Sequence, residues 1–151
     1  MRYIITSLII VLLDQGTKHL VRTMIRPFET INLLPFLQLV HIRNEGAAFG
    51  LFRSLGNVSF IIISIIAIAV VSYLMIREKR DRFNLSLILG GAVGNLIDRL
   101  IYGNVTDFID VYAGRFHWPA FNVADSALTI GISLIFLAHL KDLIWKKQPD
   151  V

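Results

Sequence analysis

Four long apolar stretches dominate the pattern of the chain, and the shorter segments between them hold most of its charge. The stretches cover residues 3–21, 58–76, 85–102 and 125–145. A helix rises about 1.5 Å per residue and the hydrocarbon core of a bilayer is about 30 Å thick, so about 20 apolar residues can cross it. The pattern predicts an all-α integral membrane protein, with a four-transmembrane-helix bundle that forms a single membrane domain over residues 1–151.

The composition supports a membrane protein and excludes several other classes. Hydrophobic residues make up 55% of the chain and charged residues 17%, whereas a typical soluble domain has about 25% charged residues. The net charge of +4 comes from scattered basic residues, so we expect no nucleic-acid partner. Because the chain has no cysteine, disulfides, thiolate nucleophiles and cysteine-ligated metals are excluded.

The first stretch has a second interpretation as a cleaved signal peptide. Arg2 and the apolar run Ile4 to Leu13 resemble the first two regions of such a peptide. No small-x-small cleavage site follows, and residues 14–18 remain compatible with a helix. We therefore expect the first helix to be retained.

The basic residues predict how the bundle is oriented. An even number of spans places both termini on one side, together with the loop between the second and third spans. That side holds Arg2, Arg77, Lys79, Arg80, Arg82, Lys146 and Lys147 in few residues. The longer opposite side holds Arg22, Arg26, Arg43, Arg53 and Arg115. The density of basic residues predicts cytoplasmic termini, with loops 22–57 and 103–122 on the outside.

The first outer loop has a pattern of its own. Ile31 to Arg43 is rich in Leu, Val and Ile, and Pro35 interrupts it. This is typical of one or two short strands or of an apolar patch at the membrane interface. We expect a small extracytoplasmic cap of β-strand and loop over the bundle.

Polar side chains within membrane spans are costly and often mark functional sites. With the predicted orientation, the polar residues of the spans and several polar residues of the outer loops lie close to the outer interface. They are Asp14, Lys18, Asn44, Asn95, Asp98, Arg99, Asp107, Asp110, Asn122 and Asp125. The sequence therefore predicts one site at that depth.

Two of these groups have both structural and functional interpretations. Asp14 and Lys18 are four residues apart, so they can form an ion pair on one helix face. Asn95, Asp98 and Arg99 also share a face. They could form a network at a helix end in which Asp98 neutralises Arg99, or a set of hydrogen-bonding groups for a peptide backbone.

The remaining acids suggest hydrolysis by paired carboxylates. Asn122 and Asp125 have the spacing of a helix cap, but Asp125 could also converge with an acid of the second outer loop. Two close carboxylates share one proton and can activate water against a peptide carbonyl. The residue types do not rank Asp107 above Asp110 as the second acid, and carboxylates could also bind Mg²⁺.

Two other classes of protein remain open on these residues. A small proton-coupled transporter would also place acids in the membrane, but it predicts them at all depths. The inner halves of the spans contain almost none apart from Asp142. A non-catalytic binding scaffold would keep an apolar groove without needing both acids.

Five motifs occur in order along almost the whole chain. They are Asp14-Gln-x-x-Lys18, Asn44-Glu-Gly-Ala-Ala-Phe49, Gly90-Gly-Ala-Val-Gly-Asn-Leu-Ile-Asp-Arg99, Val105-Thr-Asp-Phe108 and Phe121-Asn-Val-Ala-Asp125. In these motifs the sequence closely resembles lipoprotein signal peptidases, the signal peptidase II family. The resemblance implies an aspartyl endopeptidase that removes the signal peptide from diacylglyceryl-modified prolipoproteins, cutting before the lipidated cysteine.

The resemblance also implies roles for single residues. Asp107 and Asp125 would be the catalytic pair. The residues that would hold the substrate backbone or the pair are Asn44, Asn95, Arg99 and Asn122, and those that would support the fold are Asp14, Lys18 and Asp98. The family implies no cofactor or metal, inhibition by globomycin-type cyclic peptides, and a place in the bacterial cell membrane among its lipids. We expect a monomer.

Overall fold

The computed structural model describes residues 2–27, 29–46 and 56–145. Over these residues the chain forms α1 (Arg2–Met24), β1 (Thr30–Leu34), β2 (Leu37–Asn44), α2 (Gly56–Arg77), α3 (Arg82–Tyr102), β3 (Val105–Ala113), β4 (Phe116–His117) and α4 (Val123–Trp145). All four predicted spans are helices, and each helix is long and apolar enough to cross a membrane. Some residues used in the predictions lie outside the described ranges, namely Arg53, the motif residues 47–49, Lys146 and Lys147.

Helix α3 lies at the centre of the bundle and contacts each of the other three helices. Its glycines allow this close packing. A Cβ atom added at Gly91 would lie 2.5 Å from the carbonyl oxygen of Ala124, and one at Gly90 would lie 2.9 Å from the carbonyl oxygen of Ser7. The α3 backbone therefore lies directly against both α1 and α4, which brings the polar residues of three helices together.

The strands form one antiparallel sheet in the order β1-β2-β3-β4. Of the alternatives expected for Ile31 to Arg43, the structure has two strands, and the chain reverses between them at Pro35 and Phe36. The loop expected over residues 103–122 instead contains β3, whose backbone pairs with β2. This corrects the prediction of a connecting loop and places Asp107 on a strand.

The sheet is attached to the end of the bundle where α1 and α3 finish and α4 begins. Phe108 of β3 packs with Val21 and Ile25 at the end of α1, and all three side chains are buried. A ring nitrogen of His41 lies 2.8 Å from the carbonyl oxygen of Ile25. These contacts fix β2 and β3 over the polar ends of the helices.

Candidate active site

A buried group of charged residues joins α1 to α3. The predicted ion pair of Asp14 and Lys18 is confirmed, with Nζ 2.8 Å from Oδ2 and both side chains fully buried. Asp98 lies 3.5 Å from Lys18 and 3.3 Å from Arg22. Two acids and two bases therefore balance their charges inside the bundle, where a single unpaired charge would be strongly destabilising.

Asp98 thus forms its ion pairs with Lys18 and Arg22 rather than with its neighbour Arg99. Adjacent residues on a helix point in different directions, so they do not face each other. The Arg99 guanidinium instead lies 5.4 Å from the centre of the Phe60 ring on α2, and it donates to the carbonyl oxygen of Asn95 over 3.4 Å. Arg99 is only partly buried and lies within electrostatic range of Asp125 and Asp107.

Asn122 and Asp125 form a reciprocal cap at the start of α4. The backbone N–H of Asp125 donates to Oδ1 of Asn122 over 2.9 Å, and the backbone N–H of Asn122 donates to Oδ2 of Asp125 over 3.3 Å. This is the capping-box arrangement, which satisfies two N–H groups that the helix itself leaves unpaired. The predicted cap is present, and it also fixes the position of the Asp125 carboxylate.

Asp107 is brought to this cap by β3, and its side chain is almost fully buried. Its Oδ1 accepts from Nδ2 of Asn122 over 2.7 Å, and its Oδ2 accepts from Nδ2 of Asn44 over 2.8 Å. Asn44 can reach it because its strand pairs with β3. The backbone N–H of Gly46 donates to Oδ1 of Asn44 over 2.9 Å, so the orientation of that amide is defined.

Asn95 connects the charged group to the second acid. Its Nδ2 donates to Oδ1 of Asp125 over 2.8 Å, while its Oδ1 accepts from Nζ of Lys18 over 2.9 Å. The same oxygen accepts from Nδ2 of Asn122 over 3.2 Å. Lys18 therefore orients the Asn95 amide so that its N–H group faces Asp125.

The surroundings of Asp107 change its protonation. Burial, followed by the negative charge of Asp125, raises the pKa of Asp107 from 3.8 to about 7, although hydrogen bonds from Asn44 and Asn122 and the charge of Lys18 oppose the rise. Two carboxyl groups that interact in this way do not both ionise readily. The arrangement favours a state in which Asp107 and Asp125 are not both ionised near neutral pH.

Asp110 belongs to a separate group on the same strand. Its Oδ2 accepts from Nε2 of Gln38 over 2.5 Å and lies 2.8 Å from Nδ1 of His117. Residues separated by an odd number along a strand point to opposite faces, so Asp107 and Asp110 cannot approach the same partner. The structure brings Asp107, and not Asp110, next to Asn122.

Three residues without a predicted role also contribute. Gln15 donates to Asp98 over 3.2 Å, Arg22 donates to the hydroxyl of Thr106 over 3.0 Å, and the backbone N–H of Thr106 donates to Asp98 over 2.9 Å. The sequence contains a signal for Arg22, because Asp14, Lys18 and Arg22 are each four residues apart and therefore share one face of a helix. In the described ranges, no three His, Cys, Asp or Glu side chains are grouped so that they could hold a metal ion.

Two solved structures share this architecture, and each is described as a bacterial membrane enzyme. One superimposes with a TM-score of 0.88 at 37% identity, covering 99% of this chain and 94% of the other. A second gives a TM-score of 0.84 at 37% identity over 93% of this chain and 94% of the other. The fold is therefore shared with bacterial membrane enzymes.

Sequence comparison identifies the family. Residues 6–141 match the family model for signal peptidase (SPase) II. The chain is 48% identical over 137 residues to the lipoprotein signal peptidase of Thermodesulfovibrio yellowstonii, covering 91% of this chain and 93% of that protein. It is 45% identical over 146 residues to the lipoprotein signal peptidase of Halalkalibacterium halodurans, covering 94% of each. The chain belongs to the signal peptidase II family, which confirms the resemblance and gives no support to the transporter or scaffold interpretations.

Proposed function

We propose that the protein is an aspartic endopeptidase that removes the signal peptide from diacylglyceryl-modified prolipoproteins, cutting before the lipidated cysteine. Its membership of the signal peptidase II family supports this substrate class. The observation that carries the choice of mechanism is that the side chain of Asn122 bonds to both acids. It donates to the Asp107 carboxylate and accepts from the backbone N–H of Asp125. These two acids are the proposed catalytic pair.

In this mechanism the two acids share one proton before the reaction. The ionised carboxylate takes a proton from a water molecule, and the water oxygen attacks the carbonyl carbon of the scissile peptide bond. The protonated acid donates to the carbonyl oxygen, which stabilises the tetrahedral intermediate. The first acid then gives the proton that it took from water to the amide nitrogen, while the second takes a proton back from a hydroxyl of the intermediate. The C–N bond breaks, and the pair again holds one proton.

The neighbouring polar residues have different proposed roles. Asn95 and Asn122 hold the catalytic pair, because their amide groups already bond to the acids and to each other. Asn44 holds Asp107 from the opposite side. Arg99 is better placed to bind the substrate backbone, since its guanidinium is partly exposed and makes one long bond to a backbone carbonyl.

The position of the acids suits a substrate that is anchored in the membrane by its lipid. The catalytic pair and the sheet lie at one end of the bundle, and the basic connection between α2 and α3 lies at the other. We propose that the basic end is cytoplasmic and that the acids are near the outer face of the bacterial cell membrane. The single membrane domain, the monomeric state and inhibition by cyclic peptides remain predictions.

Cleavage of a diacylglyceryl-modified prolipoprotein in detergent tests the proposal. The wild type should cut the substrate, while Asp107→Asn and Asp125→Asn should each abolish the mobility shift on a gel. Asp110→Asn is the matched control, because it removes an acid of the same strand that points to the opposite face. It should retain most of the activity.

Adding EDTA to the wild type separates this chemistry from metal-assisted hydrolysis, and we expect no effect. Cleavage by both Asn variants at the wild-type rate would show that the acids are wrongly assigned. A loss of activity in Asp110→Asn, with the other two variants active, would reverse the choice of acid. Failure of the wild type on a verified lipidated substrate would contradict the proposed function itself.

A further inference from the structure

A cavity of about 390 Å³ lies between α1, α2 and α3, far from the paired acids. Its walls include Tyr3 of α1, Ser72 and Met75 of α2, and Leu89 and Arg82 of α3. Arg82 and the site residue Arg99 lie on the same helix, 17 positions apart in the sequence, which corresponds to about 25 Å along the axis. The cavity is therefore separate from the catalytic pair.

The walls of the cavity are mostly apolar and open toward the surroundings of the bundle. Ile4 and Ile76, which also line it, are 59% and 74% exposed. Both belong to helices that are able to span a membrane, so in a bilayer this opening would face the lipid chains. An apolar opening of this kind suits a hydrocarbon chain.

Arg82 places a positive charge on the cavity wall. Its Nε donates to the carbonyl oxygen of Met75 over 2.9 Å, and its Nη2 donates to the carbonyl oxygen of Ile76 over 3.0 Å. These bonds hold the side chain against the last turn of α2. In the part of the chain that the structure describes, Nη1 has no hydrogen-bond partner and the guanidinium has no ion pair.

The rim of the cavity carries further positive charge. Arg2 directly precedes the wall residue Tyr3 and donates to its hydroxyl over 2.6 Å. Arg77 directly follows the wall residue Ile76, and its guanidinium lies 5.8 Å from the centre of the Tyr73 ring. By contrast, Arg80 of the same connection is paired with Asp142 on α4. The basic groups around the cavity therefore remain able to bind an anion.

We propose that this cavity binds an anionic phospholipid such as phosphatidylglycerol. An acyl chain would fill the apolar part, and the phosphodiester would accept hydrogen bonds from Arg82. Basic pockets between helices on the cytoplasmic side of membrane proteins recognise anionic headgroups in this way. The start of a signal peptide fits less well because it is itself positively charged.

Native mass spectrometry of the purified protein with an equimolar mixture of phosphatidylglycerol and phosphatidylcholine tests the proposal. The wild type should retain phosphatidylglycerol several-fold more than phosphatidylcholine. Arg82→Gln should remove this preference, whereas Arg82→Lys should keep part of it. Arg80→Gln is the matched control, since Arg80 is paired with Asp142, and it should behave as the wild type.

A second variant tests the apolar part without changing any charge. Ser72→Phe should fill the cavity and reduce retention of both lipids. Its control is Ile65→Phe, which adds a ring at an exposed position of the same helix outside the cavity. This pair keeps the proposal testable if Arg82→Gln does not fold.

Three outcomes would overturn the proposal. They are equal retention of the two lipids by the wild type, identical behaviour of Arg82→Gln and Arg80→Gln, and no effect of Ser72→Phe. A photo-crosslinker at position 72 that captures a synthetic signal peptide in the presence of excess phosphatidylglycerol would assign the cavity to the substrate instead. Asp107→Asn should keep the lipid preference while losing cleavage, so failure of this inference is distinguishable from failure of the proposed function.

Discussion

Replacing Asp107 by Asn should stabilise the protein at high pH even though it removes the proposed chemistry. The pKa of Asp107 is raised from 3.8 to about 7, mainly by burial and then by the charge of Asp125. The folded state therefore holds this proton more tightly than the unfolded state does. It follows that the wild-type free energy of unfolding falls as the pH rises from about 4 to about 7.

The size of this effect follows from the shift in the pKa. One unit corresponds to about 1.4 kcal/mol, so a rise from 3.8 to about 7 corresponds to about 4 kcal/mol. Asn does not titrate, and Asp107→Asn should lose this part of the pH dependence. Relative to the wild type, the variant should gain about 4 kcal/mol of stability between pH 4 and pH 8.

The hydrogen bonds around Asp107 define the baseline for this comparison. Both carboxylate oxygens accept from amide N–H groups, of Asn122 and Asn44. The NH2 group of an Asn at position 107 would face the N–H donor of Asn44 or of Asn122. The protonated carboxyl group of Asp107 has the same problem, because its O–H group also faces one of these donors. The variant and the wild type should therefore have similar stabilities at pH 4, where Asp107 is protonated in the folded protein.

Unfolding by SDS in detergent micelles, followed by circular dichroism at several pH values, measures the difference. The gain in Asp107→Asn relative to the wild type should increase from about pH 4 to about pH 7 and then level off toward pH 8. A difference that stays constant over this range would refute the raised pKa. A difference that shrinks would show that ionisation of Asp107 stabilises the fold.

Three further variants test other parts of the site. Lys18→Met should destabilise the protein by about 3–5 kcal/mol in SDS unfolding, because it leaves Asp14 as a buried charge without its partner. Adding Asp14→Asn should recover part of this loss. If the double variant shows no recovery, the explanation is wrong. Gly94→Ala should cost about 1–3 kcal/mol in the same assay, since its Cβ atom would lie 2.6 Å from Oδ2 of Asp14. Gly16→Ala is the matched control, with no atom within 4 Å of the added carbon, and it should be neutral or stabilising; equal losses in the two variants would rule out the steric cause. Arg99→Lys should reduce kcat/KM for the lipidated substrate without reducing stability, because a point charge does not replace a planar set of donors; unchanged cleavage would remove Arg99 from the site.

The helices could be predicted from the sequence because crossing a membrane requires a long apolar segment. Each helix ends within three residues of its predicted limit. The first two strands were also predictable, since Pro35 interrupts an apolar run that is short enough for strands. In both cases the signal is local in the sequence.

Strand β3 was not predicted, because residues 103–122 were assigned as a connecting loop from their place between two apolar spans. Some of its residues favour a strand, since Val105, Thr106, Ile109 and Val111 are β-branched. Its partner β2, however, is more than 60 residues earlier in the chain. Which face each acid occupies depends on that pairing, so residue types alone could not separate Asp107 from Asp110.

The partner of Asp98 was also decided by packing between helices. The sequence places Arg99 next to it, but the structure pairs Asp98 with Lys18 and Arg22 of α1. Local spacing could show that these two bases share a face of α1. The close approach of α1 to α3, which Gly90 and Gly94 allow, determines which acid they meet.

The use of amides around the acids has a physical consequence for the proposed chemistry. Asn44, Asn95 and Asn122 supply N–H donors to the two carboxylates without adding charge. A lysine or arginine in direct contact would favour the ionised form of both acids, and the shared proton would be lost. Lys18 instead acts through the Asn95 amide. Amides therefore fix the positions of Asp107 and Asp125 while leaving them able to hold one proton between them.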